Sequence, residues 1–338
     1  MAIRVAVAGV GARGQEWISE LRAAPAFELV ACIDIDRLAL ERASQDLGIP
    51  PRQRFDDLSK ALEESDCQAV VVSTPAESHF QTCETALLHG SAVLVEKPFT
   101  VRLSEANRLV LLAESKSRPL IVAQNYRYLR AFRTIRRVIH EGLLGQIGMV
   151  VCQYYRVPHA LQPSLAMSSQ SVLWGMGIHH LDALRYVLGD EVNGVMADSF
   201  TLPWNQLPDG ASMRVLLSFS GGTRAFYSAT YESSGHEFFE GGQEFYARFV
   251  GERATLHVFQ RWLILCKKGK LPCLIRRGPR KVTEEKILLG QLERALRLSE
   301  EPDCSGRDNL QTMAIIESCR RSAGERRWIN PQELINEL

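Results

Sequence analysis

Short apolar runs alternate with longer mixed segments over about the first 120 residues of the chain. The runs are mostly β-branched or fully apolar, which is typical of strands buried on both faces of a parallel sheet. They lie at residues 3–8, 28–33, 69–73, 92–95 and 120–123. Helical patterns separate them, most clearly at residues 37–47, 78–89 and 103–115. This alternation predicts βαβ units and an α/β domain with a doubly wound parallel sheet.

After residue 124 the pattern changes to closely spaced strands. A helical pattern at residues 131–141 precedes a strand pattern at 147–157 and, after a polar loop, a second helix at 177–188. Six strand patterns follow, at residues 192–202, 213–219, 223–231, 245–250, 254–259 and 262–266. Because they leave little room for helical crossovers, they predict an α+β domain with a large, mostly antiparallel open sheet. Two helices end the chain, at residues 284–299 and 308–323.

A length of 338 residues suits two domains, which we place at residues 1–123 and 124–338. The charges nearly cancel, with 40 Lys and Arg residues against 39 Asp and Glu residues. This balance predicts binding to neither nucleic acid nor an anionic membrane. No apolar run approaches the roughly 20 residues that span a bilayer, and the apolar N-terminus runs into a glycine turn rather than a signal-peptide cleavage site.

The eight cysteines are scattered and form no C-x-x-C pair. They indicate neither a zinc ribbon nor a thioredoxin-like site, and we predict no metal site. Most lie in apolar runs, where a free thiol behaves as a small core residue. We therefore expect a reducing, cytoplasmic setting.

A basic run at residues 267–281 allows two interpretations. Its lysines and arginines could form a patch that binds anions or nucleic acid. Its glycine and proline residues lie at turn-like positions, and acidic residues follow at once. These features favour an exposed hairpin whose charges are solvated.

A G-x-G-x-x-G pattern follows the first predicted strand and opens a helical segment. It comprises Gly9, Gly11 and Gly14, with Ala12 and Arg13 between the last two glycines. The first glycine allows a tight turn, the second lets the backbone approach a pyrophosphate, and the third lets the helix pack closely on the sheet. Backbone N–H groups at the helix start then face the phosphate charge. The pattern therefore predicts a dinucleotide-binding Rossmann domain.

Asp34 ends the next predicted strand, 20 residues after Gly14. An acid at this place accepts hydrogen bonds from both ribose hydroxyls and repels a 2′-phosphate, which favours NAD over NADP. Arg37 follows closely and could accommodate the phosphate. A second role, compatible with the first, is that Asp34 caps a helix that starts near Asp36.

Further motifs follow in order along the chain. Ser73-Thr74-Pro75-Ala76-Glu77-Ser78-His79 and Glu96-Lys97-Pro98 each end a predicted strand. Gln124-Asn125-Tyr126-Arg127 and Gly177-Ile178-His179-His180-Leu181-Asp182 come later. Together with the glycine motif, this ordered set resembles the Gfo/Idh/MocA family of glucose–fructose oxidoreductases, inositol dehydrogenases and rhizopine-catabolism proteins.

The resemblance implies an NAD(P)-dependent oxidoreductase, with NAD expected rather than NADP. Such an enzyme transfers hydride between nicotinamide and a hydroxyl carbon of a sugar, a polyol or a sugar derivative. The second domain is then expected to bind this small carbohydrate-like substrate. It is also expected to form a homodimer or homotetramer through its open sheet.

The resemblance also places residues beside the cofactor: Ser73, Thr74, Pro75, His79, Glu96, Lys97 and Pro98, with the Lys97–Pro98 peptide cis. It implies Lys97 as the leading catalytic acid or base. Ligands of open α/β sheets bind at the carboxyl ends of the strands, where Lys97 lies, and an ammonium there can protonate or stabilise a nascent alkoxide. The alternative for Lys97 is an exposed lysine at a strand end.

His179 is implied as the partner of Lys97 in catalysis. Histidine titrates near neutral pH, so it can relay a proton to or from a substrate hydroxyl; its alternative role is structural, at the start of a helix. We assign His180 to packing, and Asp182 either to orienting His179 or to pairing with a basic residue such as Arg185. Adjacent histidines face different directions, so this motif predicts no metal site. Substrate contacts are expected from Lys97, Tyr126, Arg127, His159 and His179.

The chain departs from the family pattern at Gly175, where many relatives carry an acid four residues before the histidine. Glycine cannot ionise, and three explanations are open. Lys97 and His179 suffice, or another side chain replaces the acid, or dehydrogenase activity has been lost. The candidates for replacement are Tyr126, His159 and Arg156. The alternative functions are an NAD-dependent glycosidase or lyase that uses transient oxidation, and a non-catalytic nucleotide-binding protein.

Overall fold

A computed structural model describes residues 1–158, 171–204, 207, 210–234, 243–260, 262–278 and 282–338. The chain forms two compact units. One comprises Met1–Asn125 and Lys281–Leu310, and the other Tyr126–Arg280 and Gln311–Leu338. A single boundary after residue 123 was expected from the sequence. The structure instead groups the helical segment near residue 290 with the N-terminal strands.

The first unit contains a six-stranded, all-parallel sheet. Its strands are β1 (Ile3–Ala8), β2 (Phe27–Ile33), β3 (Arg54–Phe55), β4 (Ala69–Val72), β5 (Ala92–Val95) and β6 (Leu120–Val122). The strand order is β3-β2-β1-β4-β5-β6, so the order reverses at β1 and β4. This reversal leaves a crevice at the carboxyl ends of the strands, where ligands of such sheets bind. The predicted doubly wound sheet is confirmed.

The second unit contains an eight-stranded sheet. Its strands are β7 (Ile147–Arg156), β8 (Val192–Phe200), β9 (Ser212–Phe219), β10 (Arg224–Thr230), β11 (Gln243–Gly251), β12 (Ala254–Phe259), β13 (Trp262–Lys267) and β14 (Cys273–Leu274). The order is β14-β13-β12-β11-β7-β10-β9-β8. Among the described strand pairs of this sheet, only β7 and β10 are parallel, which confirms the mostly antiparallel sheet. β13 and β14 form an antiparallel hairpin, and residues 268–274 of the basic run, which follow β13, are exposed, as the turn residues favoured.

The two faces of this second sheet differ in character. Alternate residues of β7, such as Val150 and Cys152, are buried. The opposite face exposes large apolar side chains. They are Met149, Leu216, Phe259, Trp262 and Ile264, which cross-strand register places on one face. Among the described residues, the sheet is therefore covered on one side and open on the other.

Ten α-helices lie in the described ranges. They are α1 (Ala12–Ala23), α2 (Arg37–Leu47), α3 (Leu58–Ser65), α4 (Ala76–Leu88), α5 (Leu103–Ser115), α6 (Arg130–His140), α7 (Ile178–Leu188), α8 (Glu284–Leu298), α9 (Gly306–Glu325) and α10 (Pro331–Asn336). Side chains cap several of them: Asp36 accepts from the Leu38 N–H, and Asp57 accepts from the Lys60 N–H. A π-helical turn, Leu173–Gly177, leads into α7. Within the described ranges, no helix combines the length and apolar character needed to cross a membrane.

Candidate active site

The glycine motif forms a turn between β1 and α1 that excludes side chains. Gly9 has a φ of +88°, and a Cβ there would lie 2.7 Å from the backbone of Ser73. A Cβ on Gly14 would lie 1.9 Å from the Gly9 carbonyl oxygen. Gly11, by contrast, has open space around it and is the N-cap of α1. The turn therefore has the tight backbone and the open approach predicted for a phosphate-binding loop.

Asp34 is held beside this glycine turn at the end of β2. Its Oδ2 accepts a hydrogen bond from the Val10 N–H at 2.9 Å, and its Oδ1 accepts from the Asp36 N–H at 2.9 Å. The side chain that caps α2 is that of Asp36, so Asp34 is not the cap itself. Each carboxylate oxygen keeps a lone pair that can accept from a ribose hydroxyl.

Arg37, the residue that could accommodate a 2′-phosphate, is engaged elsewhere. Its Nη2 lies 2.7 Å from Oδ2 of Asp56, and both side chains are exposed. The hydrogen bond and charge of Arg37 lower the pKa of Asp56. This pairing supports the interpretation that Asp34, rather than Arg37, determines the character of the ribose site.

The loop after β4 is fixed to the glycine turn and to the loop after β5. Ser73 Oγ donates to the Gly9 carbonyl at 2.8 Å. His79 is 1% exposed, and its ring nitrogens lie 2.9 Å from the Thr74 carbonyl oxygen and 2.8 Å from that of Pro98. His79 therefore connects the loop after β4 to the loop after β5. Its position in the sequence motif did not reveal this role.

Glu96 and Arg13 form an ion pair inside the first unit. Oε1 of Glu96 accepts from Arg13 Nη2 at 2.6 Å and from Trp17 Nε1 at 2.9 Å. Arg13 also lies 3.3 Å from Glu285 on α8. Burial disfavours the charge on Arg13, but the surrounding carboxylates raise its pKa above the ordinary arginine value. Its guanidinium is bound by protein carboxylates, and the cofactor contact expected of Arg13 stays a prediction.

Lys97 follows Glu96 at the carboxyl end of β5, and its peptide bond to Pro98 is cis, as predicted. The side chain is half-buried. Within the described ranges, no hydrogen bond or ion pair engages its Nζ. Burial lowers the pKa of Lys97, Glu96 opposes that shift and Arg13 adds to it. The amine is therefore poised to exchange a proton more readily than an exposed lysine.

In the second unit, His179 is stacked on Tyr126. The ring centroids are 4.1 Å apart and the planes differ by 22°. Tyr126 also lies 3.8 Å from Sδ of Met176, through its hydroxyl. Gly175 and Met176 belong to the π-helical turn, a feature frequent at functional sites. The stack therefore fixes the plane of the His179 ring in a region where Gly175 provides no carboxylate.

His180 points away from His179 and packs in the core. Its Nδ1 lies 3.0 Å from the Tyr227 hydroxyl, and complete burial lowers its pKa to about 3. It is therefore neutral at physiological pH. The assignment of His180 to packing agrees with this position.

Asp182 pairs with Arg127 rather than with His179. Arg127 donates from Nε and Nη2 to the two carboxylate oxygens at 2.7 and 2.6 Å, and its side chain is 2% exposed. The second basic neighbour, Arg185, lies 3.8 Å away. The guanidinium of Arg127 is bound inside the unit, and the substrate contact expected of Arg127 stays a prediction. His159 lies outside the described residues.

Several buried polar atoms at the carboxyl edge of the first sheet have no hydrogen-bond partner within the described ranges. They are Thr74 Oγ1, Gln124 Oε1 and Nε2, and Asn125 Oδ1. Buried polar groups are normally hydrogen-bonded, so these atoms indicate a polar ligand. The glycine turn and Asp34 lie at the same edge, and the set fits a dinucleotide. Sequence reasoning used Gln124 and Asn125 only as part of a motif.

Both parts of the chain match a protein-family model. Residues 3–124 match the model of an oxidoreductase family with an NAD-binding Rossmann fold. Residues 132–257 match the GFO/IDH/MocA C-terminal domain.

The chain belongs to the Gfo/Idh/MocA family.

Relatives of this Gfo/Idh/MocA protein include named dehydrogenases. It is 27% identical to the D-apiose dehydrogenase of Paraburkholderia graminis over 97% of this chain and 90% of that protein. It is 30% identical to the inositol 2-dehydrogenase 4 of Saccharopolyspora erythraea over 57% of this chain and 56% of that protein. The fold matches the crystal structure of an oxidoreductase from Agrobacterium radiobacter in complex with NAD+, L-tartaric acid and magnesium. That match has a TM-score of 0.88 at 22% identity and covers 99% of this chain and 100% of that one.

Family membership confirms NAD as the cofactor and an oxidoreductase as the class of protein. The two alternatives, an NAD-dependent glycosidase or lyase and a non-catalytic nucleotide-binding protein, are not favoured by the Gfo/Idh/MocA relatives.

Proposed function

We propose that this protein is an NAD-dependent dehydrogenase that oxidises a hydroxyl carbon of a sugar, a polyol or a sugar derivative. Lys97 is the acid or base, and His179 is its partner. The observation that carries the proposal is Lys97 itself, a half-buried amine with a lowered pKa at the carboxyl end of β5. The relatives named D-apiose dehydrogenase and inositol 2-dehydrogenase support a carbohydrate substrate.

Bound NAD supplies the acceptor for the hydride that leaves the substrate carbon. Lys97, in its neutral form, takes the proton of the substrate hydroxyl at Nζ as the carbon is oxidised. In the reverse direction the Lys97 ammonium stabilises the developing alkoxide and returns the proton. The lowered pKa keeps both forms accessible nearer to neutral pH.

His179 is the second proton-exchanging group, and Tyr126 holds it in place. Burial raises the pKa of the Tyr126 phenol, so its hydroxyl stays protonated and can donate to a substrate oxygen. Tyr126 therefore acts in place of the missing acid by fixing the imidazole through stacking. Arg127 contributes indirectly, by holding α7 through Asp182.

For the cofactor, Gly9, Gly11 and Gly14, with the backbone of Ala12 and Arg13, form the pyrophosphate cradle. Asp34 receives the ribose hydroxyls and disfavours NADP. The nicotinamide side is assigned to residues of the two loops that His79 connects: Ser73, Thr74, Pro75, Glu96, Lys97 and Pro98. The orphaned Thr74 hydroxyl supports this assignment.

The open face of the second sheet is assigned to contact between copies of this chain. Its exposed Met149, Leu216, Phe259, Trp262 and Ile264 form an apolar surface that a homodimer or homotetramer would cover. All eight cysteines are free thiols, which supports the cytoplasmic setting.

Lys97→Met tests the proposal, with D-apiose and inositol in the substrate panel. Loss of the acid or base lowers kcat about 10²- to 10⁴-fold, whereas NAD affinity, measured by tryptophan fluorescence, stays at its wild-type value. Lys116→Met, which removes an exposed lysine of the same unit, serves as the control. Wild-type turnover in Lys97→Met would remove Lys97 from the mechanism. A tightly held cofactor that never appears as free NADH would favour the glycosidase or lyase alternative instead.

A further inference from the structure

Arg13 is surrounded by three glutamates in the first turn of α1, the helix that begins at the glycine turn. Its Nε and Nη2 donate to Oε1 of Glu96 at 2.9 and 2.6 Å, and its Nη1 and Nη2 donate to Oε1 of Glu285, each at 3.3 Å. Nη1 also donates to Oε2 of Glu16, one turn along α1. A guanidinium has five N–H donors, and these are five hydrogen bonds. Protein carboxylates therefore occupy the hydrogen-bonding capacity of Arg13.

Glu285 comes from the segment that joins the first unit late in the chain, and its helix is attached to α1. It lies in the first turn of α8, just after the cap residue Thr283. Thr283 Oγ1 donates to Oε1 of Glu20 on α1 at 3.2 Å, and Lys286 Nζ lies 4.0 Å from the other carboxylate oxygen of Glu20. These contacts on either side of Glu285 hold its carboxylate against Arg13.

The carboxylate of Glu285 is shielded from solvent more than that of Glu16. The Glu285 side chain is 14% exposed, against 57% for Glu16. Because buried charges are screened less by water and salt, the charge of Glu285 acts more strongly on its surroundings. Glu285 also lines, together with Glu16 and Ala12, a cavity of about 530 Å³ beside the start of α1. Its negative charge therefore lies next to the turn that is expected to receive the pyrophosphate.

We propose that Glu285 determines the affinity for NAD by withholding the Arg13 guanidinium from the pyrophosphate. A guanidinium that is free at the start of a phosphate-binding helix binds a phosphate as a planar fork. While the three glutamates hold Arg13, the glycine turn receives the pyrophosphate with its backbone N–H groups. Glu285 thereby keeps the nucleotide affinity low, so that NADH leaves after the reaction. NAD binding follows from the family, so this role of Glu285 depends neither on the substrate nor on Lys97.

Glu285→Gln tests this role. The amide removes the negative charge and keeps the size of the side chain, so it loosens the hold on Arg13. We expect NAD and NADH to bind about tenfold more tightly, because the released guanidinium gains a charge-assisted hydrogen bond to the pyrophosphate. Fluorescence of the full chain measures the affinity, since the buried Trp17 of α1 donates its indole N–H to Glu96 at 2.9 Å. In stopped-flow displacement, NADH release should slow by a similar factor.

Glu293→Gln is the matched control. Glu293 lies two turns farther along α8 and pairs with Arg297 at 3.1 Å. This variant therefore removes the same charge from another glutamate–arginine pair of the same helix. We expect it to bind NAD with wild-type affinity. Equal tightening in both variants would show a general effect of net charge and would overturn the proposal.

Fragments of the cofactor separate the pyrophosphate from the rest of the nucleotide. ADP carries two linked phosphates, whereas adenosine carries none, and displacement of NADH measures the binding of both. We expect Glu285→Gln to tighten ADP about as much as NAD and to leave adenosine unchanged. The gain for ADP should shrink as salt is added, because screening weakens the contact with the phosphates. An equal gain for adenosine would contradict a role at the pyrophosphate.

Arg13→Gln determines whether the guanidinium is responsible for the gain. In the Arg13→Gln chain no guanidinium can be released, so the additional change Glu285→Gln should leave NAD affinity unaltered. The same gain in both backgrounds would mean that Glu285 repels the pyrophosphate directly, and the proposal would be wrong.

Glu16→Gln provides a second variant if Glu285→Gln folds poorly. It removes another partner of Nη1, and we expect a smaller gain in NAD affinity because the Glu16 side chain is more exposed. This gain should also disappear in the Arg13→Gln background. NAD affinity that is unchanged or weaker in Glu285→Gln, or in Glu16→Gln where that variant replaces it, would overturn the proposal.

Discussion

The surroundings of Lys97 shift its pKa, and we expect this shift to determine how the reaction depends on pH. Burial lowers its pKa, so the neutral amine required as a base for oxidation becomes available at a lower pH than for a solvated lysine. We expect kcat/KM for oxidation to rise with pH through this lowered pKa, and kcat/KM for reduction to fall over the same interval, because reduction needs the ammonium.

Glu96→Gln tests the sign of this coupling. The Glu96 charge raises the Lys97 pKa and Arg13 lowers it, so removing the carboxylate leaves only the opposing influence. We expect the rise of kcat/KM for oxidation with pH to occur at lower pH. The glutamine oxygen can still accept from Arg13 and Trp17. A rise that stays in place or moves to higher pH would show that another group titrates.

Asp34 is the residue that we expect to determine the preference for NAD over NADP. Asp34→Ala removes an acceptor for the ribose hydroxyls and the repulsion of a 2′-phosphate, so we expect NAD to bind about 10- to 100-fold more weakly. The ratio of NADP to NAD affinity should rise at the same time. Fluorescence titration with both nucleotides measures the two effects, and an unaltered ratio would contradict the ribose assignment.

Single residues could be predicted well where geometry alone imposes the residue type. Gly9 and Gly14 leave no room for a Cβ, whereas the cis peptide between Lys97 and Pro98 was implied by the family resemblance. The partners of Arg13 and Arg127 could not be predicted in this way. A sequence shows that a guanidinium is present, but only the packed structure shows which carboxylate, Glu96 or Asp182, already pairs with it.

At the scale of elements, a buried ion pair fixes the turn after β6 to α7. Arg127 lies in a short helical turn at residues 125–128, and Asp182 lies in the middle of α7. Thr312 on α9 donates to Asp182 at 2.7 Å and accepts from Arg185 at 2.9 Å. His179 lies at the start of α7. Its position therefore depends on the ion pair between Arg127 and Asp182, which holds the middle of that helix.

Asp182→Asn breaks this pair and leaves the Arg127 charge buried without its carboxylate. We expect a loss of about 3–5 kcal/mol in the free energy of unfolding. Urea denaturation of the second unit measures it. The double variant Asp182→Leu with Arg127→Met removes both charges and should recover part of the loss; if it is less stable than Asp182→Asn, the buried pair is not the source of the effect.

Elements with a long, regular pattern were predicted, and short ones were not. β4 and β5 are uninterrupted apolar runs, β1 is apolar except for Arg4, and α2 has a polar cap on one side and Gly48 on the other. The two-residue β3 and β14 carry no periodicity from which they could be recognised. Their pairing is decided by neighbours that only the folded sheet brings alongside.

For the whole molecule, the open face of the second sheet predicts assembly. Leu216→Asp and Ile264→Asp place charges in the apolar surface, and we expect either change to lower the particle mass measured by light scattering. NAD binding should persist, because it belongs to the first unit. Leu298→Asp is the control, since Leu298 is an exposed apolar residue of that unit. A wild-type chain that is already monomeric would contradict the assignment.

The division of the chain into its two units was the property least predictable from the sequence. Residues 1–123 were expected to be complete as a domain, yet the segment Lys281–Leu310 belongs to the same unit. Its contacts there are specific: the Val122 N–H donates to the Cys304 carbonyl at 2.9 Å, and Ile121 pairs with Ser305. The local sequence pattern cannot reveal that residues 281–310 belong to the first unit, because this depends on pairing between residues about 180 positions apart.

Because residues 281–310 complete the first unit, that unit cannot be finished early in biosynthesis. When the ribosome has finished β6, the edge of that strand has no neighbour. Cys304 emerges only after residues 126–280 of the second unit have been translated, on the order of ten seconds later. The nascent cofactor domain must therefore persist unfinished beside the growing polypeptide. A fragment cut after residue 125 keeps that same unfinished edge permanently, so a stand-alone NAD-binding fragment would need residues 281–310 grafted back onto it.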